Sequence, residues 1–192
     1  MSDTIKTAKK ELRREMREKM RIVGQDARAV LSHLACALVV QTEWFKHANI
    51  ILSYRPMPHE CSPEEIIEFT RKHGKTLVFP LCCEAGKLRL FAPNLDRMDE
   101  CFTTGVYGIL EPIPEKCIEL SIADVDLVLA PGIAFSKQKV RLGQGGGYYD
   151  RILEGHTGKT IGFCYPFQVV DTLPYEPHDA VMDAVVTSDG II

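Results

Sequence analysis

Strands alternating with helices predict an α/β chain: a mostly parallel central sheet flanked by helices in a Rossmann-like three-layer arrangement, with a charged helix at the N-terminus. Three observations carry this. Residues 125–130 form a Leu-Val-Leu-rich run that is apolar on both faces, as expected of a strand buried inside a parallel sheet. Pro131-Gly132 then breaks the chain at that strand's carboxyl end, where open α/β sheets hold their ligands. A glycine-rich loop follows, and a short helix begins at Tyr148.

The elements follow in order. Residues 5–22 are strongly charged and helical in pattern. Lys9, Arg13 and Arg17 recur at four-residue spacing on one face, and Leu12 and Met16 supply an apolar stripe. A second helix is expected over 26–47, with Val30, Leu31, Leu34, Leu38 and Trp44 turned inward; these first 47 residues form a helical part packed on a single domain spanning 1–192. Residues 49–54 make a short apolar strand. Ser62 then caps a helix, with Pro63 at its first position and Glu65 completing a capping box, and Gly74 ends it. Strands are expected over 76–79 and 87–91. Residues 93–123 are punctuated by Pro and Gly and give no clear pattern. After the buried strand at 125–130 come a helix over 148–153 and strands over 160–163 and 184–187.

Composition bounds the function. Hydrophobic content of 45% and charge of 26% are ordinary for a soluble globular chain of 192 residues. A net charge of −3 weighs against a general nucleic-acid binder. No stretch approaches the roughly 18 apolar residues of a membrane span. Charge from Lys6 onward leaves no apolar signal core. Seven cysteines without paired CxxC spacing, two of them adjacent at Cys82-Cys83, read as free thiols in a reducing cytoplasm, not as a zinc site.

The segment from Arg141 to Arg151 carries the most chemistry. Gly143, Gly145, Gly146 and Gly147 fall within five positions, arginines stand at both ends, and Asp150 follows Tyr148 and Tyr149. Glycine backbone can approach a ligand closely, and successive N–H groups can form an anion-binding nest. Arginines add bidentate hydrogen bonds suited to phosphate, and Asp150 offers a hard oxygen ligand for Mg²⁺. The competing reading is a flexible loop before a helix. No Gly-Lys-Ser/Thr closes a Walker A motif. A dinucleotide fingerprint fits poorly, because the loop comes late and Asp171 sits in a Pro-rich stretch.

Arg-Leu-Gly-x-Gly-x-Gly-Tyr-Tyr-Asp resembles the signature of the 5-formyltetrahydrofolate cyclo-ligases, and the likeness extends over nearly the whole chain. Lys9-Lys-Glu-Leu-Arg13, the run from Tyr54 to Glu60 with Pro63-Glu-Glu-Ile-Ile67, Asp126–Phe135, and Glu176–Thr187 follow in the family's order. The resemblance implies an ATP- and Mg²⁺-dependent enzyme acting as a monomer on a reduced folate, with no nucleic-acid or membrane partner. It implies nucleotide contacts at Lys9, Arg13 and the run Arg141, Leu142, Gly143, Gln144, Gly145, Gly146, Gly147, Tyr148 and Tyr149. It implies folate contacts at Arg55, Glu60, Gln144, Gly145, Gly146, Gly147 and Tyr148, and Mg²⁺ on Asp150 and Asp183. Arg141 and Tyr148 stand closest to the chemistry.

Each residue also has an ordinary reading. Glu11, Glu15 and Glu18 make most of the N-terminal cations a solvated face. Glu60 passes for a surface acid, Asp183 for a turn cap and His178 for a structural histidine; the cysteines take no catalytic role. Two positions depart from the family. Arg55 stands where members often have an aliphatic residue, and either stacks on a ring or pairs with an acid. Gln144 stands where a charged or larger residue is common. Two other functions fit the same scaffold: an ATP-independent isomerase or transferase, and a non-catalytic folate or nucleotide sensor. An RNA-binding role for the N-terminal helix weighs less, given its interleaved glutamates and lack of an aromatic platform.

Overall fold

The computed structural model describes residues 3–83, 86–105, 108–177 and 179–192; His178 lies outside them. In chain order the helices and strands begin with α1 (Asp3–Ile22), α2 (Gln25–Gln41), α3 (Glu43–His47), β1 (Ile50–Leu52) and α4 (Glu64–Lys72). Next come β2 (Thr76–Cys82), β3 (Leu88–Pro93), β4 (Phe102–Thr104), β5 (Leu110–Pro112) and β6 (Cys117–Leu120). The chain continues through β7 (Leu127–Ala130), β8 (Ala134–Ser136), β9 (Arg141–Leu142) and α5 (Tyr148–Leu153). It ends with β10 (Lys159–Phe163), β11 (Val169–Val170), β12 (Ala184–Thr187) and β13 (Gly190–Ile191).

The main sheet has eight strands in the order β13-β12-β10-β7-β1-β2-β3-β6. The run from β12 to β2 is parallel throughout. Antiparallel strands close it at both ends, β13 on one side and β3 with β6 on the other. A smaller sheet, β11-β8-β9, and the β4-β5 hairpin complete the strands.

β7 sits mid-sheet, and all four of its residues are fully buried. The pleat sends alternate side chains to opposite layers. Leu127 and Leu129 join Ile51, Ile161, Phe163 and Val186 against Ala35, Val39, Phe45 and Ile66 of α2, α3 and α4. Val128 and Ala130 join Leu52 and Val185 against Phe135 and the α5 residues Tyr149, Ile152 and Leu153. Helix α1 lies on the small sheet, where Met16 and Met20 pack on Ile133, Ala134, Val140 and Leu142. No single helix among the described residues is long and apolar enough to cross a membrane.

Several local expectations are corrected. The helix expected over 26–47 breaks at Thr42, whose extended backbone ends α2 and whose side chain caps α3 by accepting from the Phe45 N–H. Val30 and Leu34 face outward; the buried positions of α2 are Ser32, Ala35, Cys36 and Val39. Small side chains let this helix approach the sheet closely, and its bulkier Leu31 and Leu38 pack at the margin. The capping box at Ser62 does not form. Pro63 holds the cap position without a side-chain bond, and the Glu65 carboxylate is taken by His33 of α2 at 2.8 Å.

Candidate active site

After β7 the chain turns through Pro131-Gly132, runs out along β8 and returns along β9. Arg141 is therefore delivered beside the end of the buried strand, 5% exposed. Its guanidinium donates to the Pro131 carbonyl at 3.1 Å and to Asp150 Oδ1 at 2.7 Å, and it lies 5.3 Å from the centre of the Tyr149 ring. Its Nε is buried without a partner among the described residues. Asp150 Oδ1 also accepts from the Ala180 N–H at 3.4 Å, so the arginine and aspartate brace β9, α5 and the C-terminal segment together.

The loop that follows needs its glycines. Gly145 and Gly147 adopt positive φ of 111° and 66°. A Cβ on Gly147 would also lie 2.7 Å from Arg151 Nη1, and one on Gly143 2.8 Å from Arg141 Nη1. Two loop carbonyls are turned to arginines: Gly143 accepts from Arg13 Nε at 2.9 Å, and Gly146 from Arg151 Nη2 at 2.6 Å. The N–H groups of Gly145, Gly146 and Gly147 have no acceptor among the described residues.

Helix α1 brings Lys9 and Arg13 onto this loop because they share a face with Met16 and Met20, which are buried against the small sheet. Arg13 meets Gly143, and Arg17 reaches Gln144 Oε1 at 3.3 Å. Burial pushes the Arg13 ionisation down, Arg17 adds to that effect, and Asp179 and Asp150 oppose it. Lys9 is nearly enclosed and bonds Glu176 at 3.1 Å and Asp179 Oδ1 at 2.8 Å. The last two partners went unassigned in the sequence. They stand 167 and 170 positions from Lys9, and no spacing rule links them.

The loop divides two spaces. On one side lies a charged depression of about 340 Å³ lined by Lys9, Arg13, Leu142, Asp150, Arg151, Glu176 and Asp179. On the other lies a cavity of about 430 Å³, with walls from Tyr54, Met57, Phe79, Leu88, Ile109 and Leu110 and polar groups from Arg55, Glu60, Arg141, Gln144, Tyr148 and Tyr149. Gly143, Gly146 and Gly147 line both. Of the apolar wall, Ile109 and Leu110 were not legible in advance, because they come from the β4-β5 hairpin within 93–123, which gave no clear pattern.

Glu60 is held in the cavity by the Met57 N–H, which donates to Oε2 at 3.0 Å. Burial raises its pKa, opposed by the Met57 N–H and by the Gln144 side chain. Arg55 does both things its position allowed. It pairs with Glu64 at 2.9 and 3.0 Å, and its guanidinium stacks 4.6 Å from the Phe102 ring centre and 5.1 Å from that of Phe79. Tyr148 lines the same cavity, with Arg151 5.7 Å from its ring centre. Tyr149, grouped with the nucleotide contacts by resemblance, lines this cavity and not the charged depression.

Asp150 and Asp183 share a third depression of about 390 Å³. Asp183 uses Oδ2 to accept from Thr160 N–H and Oγ1, at 2.9 and 2.8 Å, and Oδ1 to accept from Lys159 at 3.0 Å. Among the described residues no cluster of three or more His, Cys, Asp or Glu forms a complete metal cage. Oδ2 of Asp150 is not engaged by any described residue, so a divalent ion there would complete its shell with ligand oxygens and water. All seven cysteines are free thiols, and burial raises Cys36 and Cys61 to about 12 and Cys82 and Cys117 to about 11.

The 5-formyltetrahydrofolate cyclo-ligase family matches residues 5–188. A probable 5-formyltetrahydrofolate cyclo-ligase of Caenorhabditis elegans is 26% identical over 193 residues, covering 95% of this chain and 93% of its own. The Saccharomyces cerevisiae 5-formyltetrahydrofolate cyclo-ligase is 28% identical over 205 residues, covering 94% and 95%. The solved structure of Aquifex aeolicus 5,10-methenyltetrahydrofolate synthetase superposes with a TM-score of 0.83 at 30% identity, covering 95% of this chain and 91% of that one.

Proposed function

The chain belongs to the 5-formyltetrahydrofolate cyclo-ligase family, and we propose that its reaction, conversion of 5-formyltetrahydrofolate to 5,10-methenyltetrahydrofolate, runs across the glycine loop, with ATP on the charged side and folate on the apolar side. The observation that carries this is the shared wall: Gly143, Gly146 and Gly147 border both spaces. Two substrates held on opposite faces of three glycines meet with no side chain between them.

The chemistry needs alignment more than a protein nucleophile. A formamide oxygen is a poor leaving group. Transfer of the γ-phosphoryl group forms an O–P bond at the formyl oxygen and releases ADP. N10 of the folate then attacks the activated formyl carbon and loses its proton, and the C–O bond breaks to release phosphate. The protein must hold donor and acceptor in line and offset developing charge. In this reading Lys9 and Arg13 hold phosphate oxygens from α1, the loop N–H groups cradle them, and Arg141 stands at the junction with Tyr148 over the reacting groups. Leu142 and Gln144 complete the loop contacts. Glu60 accepts N–H bonds from the pterin, and Arg55, already neutralised by Glu64, lines the pocket with its stacked face. Asp150, joined by Asp183 once Lys159 releases it, would hold Mg²⁺, which supplies charge neutralisation to the phosphates. The enzyme acts as a monomer in the cytosol, where its seven free thiols stay reduced.

The test is the purified chain with 5-formyltetrahydrofolate and Mg-ATP, followed by methenyl absorbance and ADP release. One ADP should appear per methenyl product. Product at an equal rate without any nucleoside triphosphate would replace this reading with an ATP-independent one, and binding of both ligands without product would leave a sensor.

A further inference from the structure

Five buried side-chain polar atoms have no hydrogen-bond partner among the described residues: Ser53 Oγ, Arg55 Nε, Glu111 Oε1, Arg141 Nε and the Tyr149 hydroxyl. They are not scattered. Three of the five residues, Arg55, Arg141 and Tyr149, line the 430 Å³ cavity; Ser53 and Glu111 do not. Buried polar groups are nearly always paired, so a concentration of exceptions around one cavity marks groups that a ligand completes.

Tyr149 is the most telling of them. Tyr149 lines the cavity, and its ring lies between the apolar cluster of α5 and the guanidinium of Arg141. A phenol is an O–H donor at neutral pH. The same cavity is therefore lined by a phenol donor and a carboxylate acceptor. A reduced pterin presents the complement along one edge: a keto oxygen that accepts, then a ring N–H and an amino group that donate. A carboxylate suits the two donors, and the phenol suits the oxygen beside them.

We propose that Tyr149 recognises the folate, donating its phenol hydrogen to the pterin keto oxygen while Glu60 accepts from the adjacent N–H groups. This rests on the cyclo-ligase reading and moves Tyr149 from the nucleotide to the folate. It is a specificity residue and takes no part in phosphoryl transfer.

The experiment is Tyr149→Phe, with three readouts against wild type: melting temperature without ligand, and dissociation constants for ATP and for two folates, 5-formyltetrahydrofolate and tetrahydrofolate. The hydroxyl is unpaired in the free protein, so its removal should leave the melting temperature equal or slightly raised. Both folates should bind about 5- to 30-fold more weakly, the cost of leaving a buried keto oxygen unpaired. ATP affinity should stay within about two-fold of wild type, below the tenfold that a lost contact of 1.4 kcal/mol would produce. A weakening confined to 5-formyltetrahydrofolate would overturn the proposal, because the contact would be to the formyl oxygen. So would weakening confined to ATP, unchanged folate binding, or a fall in melting temperature with both ligands weakened. If wild type binds ATP and neither folate, the cyclo-ligase reading falls and takes this assignment with it. If wild type binds both folates and the variant binds them equally well, only this assignment falls.

Discussion

Replacing Lys9 with Met tests whether α1 is fastened to the active site by charge as well as by packing. The Lys9 amine lies between Glu176 and Asp179, and the three side chains are 9–11% exposed. Methionine keeps the length of the stem and removes the cation, leaving two carboxylates with no charge between them. Removing one partner of a buried ion pair costs roughly 3–5 kcal/mol. This cluster borders an open depression, so water can reach part of it, and the lower end, about 3 kcal/mol, is the expected loss. For a chain of this size each kcal/mol shifts melting by about 2–4 °C, so Lys9→Met should melt about 6–12 °C below wild type. Asp179→Asn keeps an acceptor and removes one charge, so the double variant should recover part of the loss, with a coupling of about 1–3 kcal/mol. Thermal melts of the four ligand-free proteins measure this. Melting of Lys9→Met within 1 °C of wild type, at most about 0.5 kcal/mol, would show that the cluster contributes nothing net. Additive losses would show that lysine and aspartate act separately.

Two further outcomes follow from the carboxylates. Burial holds the Glu60 pKa above its ordinary 4.5, so the folded protein keeps this proton to higher pH than the unfolded chain does. The associated stability is present below 4.5 and is lost as pH rises through the raised value. Glu60→Gln lacks this loss, so its melting temperature relative to wild type should climb from acid to neutral pH, while folate binding weakens and ATP binding holds; a difference flat across pH contradicts the buried carboxylate. Asp150→Asn and Asp183→Asn should each raise the magnesium concentration needed for turnover, and the double variant should lose less than the two single losses combined; additive losses with unchanged magnesium dependence leave Asp183 as the cap of Thr160 alone.

What the sequence disclosed depended on the distance over which its signals act. Periodicity is local, and it identified α1 with its Lys9-Arg13-Arg17 face and the doubly buried β7. Glycine chemistry is local too, and the loop at 143–147 takes the positive φ that its composition called for. Signals failed where tertiary contacts overrode local preference. The α2 surface that meets the sheet is made of Ser32, Ala35 and Cys36, small residues that carry little weight in a hydrophobic pattern. Glu65 suits a capping box, yet His33 of a neighbouring helix takes it. The strands β8, β9 and β11, of two or three residues each, are too short to show alternation, although they place Arg141. The partners of Lys9, and the part of the cavity wall from Ile109 and Leu110, are products of the fold alone.

The two sides of the loop are built by opposite electrostatic rules, and this separates what each contributes. On the nucleotide side every proposed phosphate cation already has a partner: Lys9 holds Glu176 and Asp179, Arg13 the Gly143 carbonyl, and Arg141 Asp150. Phosphate arriving there exchanges one charge-assisted bond for another, so the net gain is small while the cations stay fixed in place. On the proposed folate side the Nε atoms of Arg55 and Arg141 and the Tyr149 hydroxyl are buried without a partner among the described residues. A ligand that satisfies them removes a desolvation cost the free protein already bears, and that gain goes directly into affinity. Under the proposed assignment, folate therefore gains more from each bond it makes, and the paired cations supply orientation. Arg141 belongs to both sets, with Nη2 on Asp150 and Nε unpaired in the cavity wall.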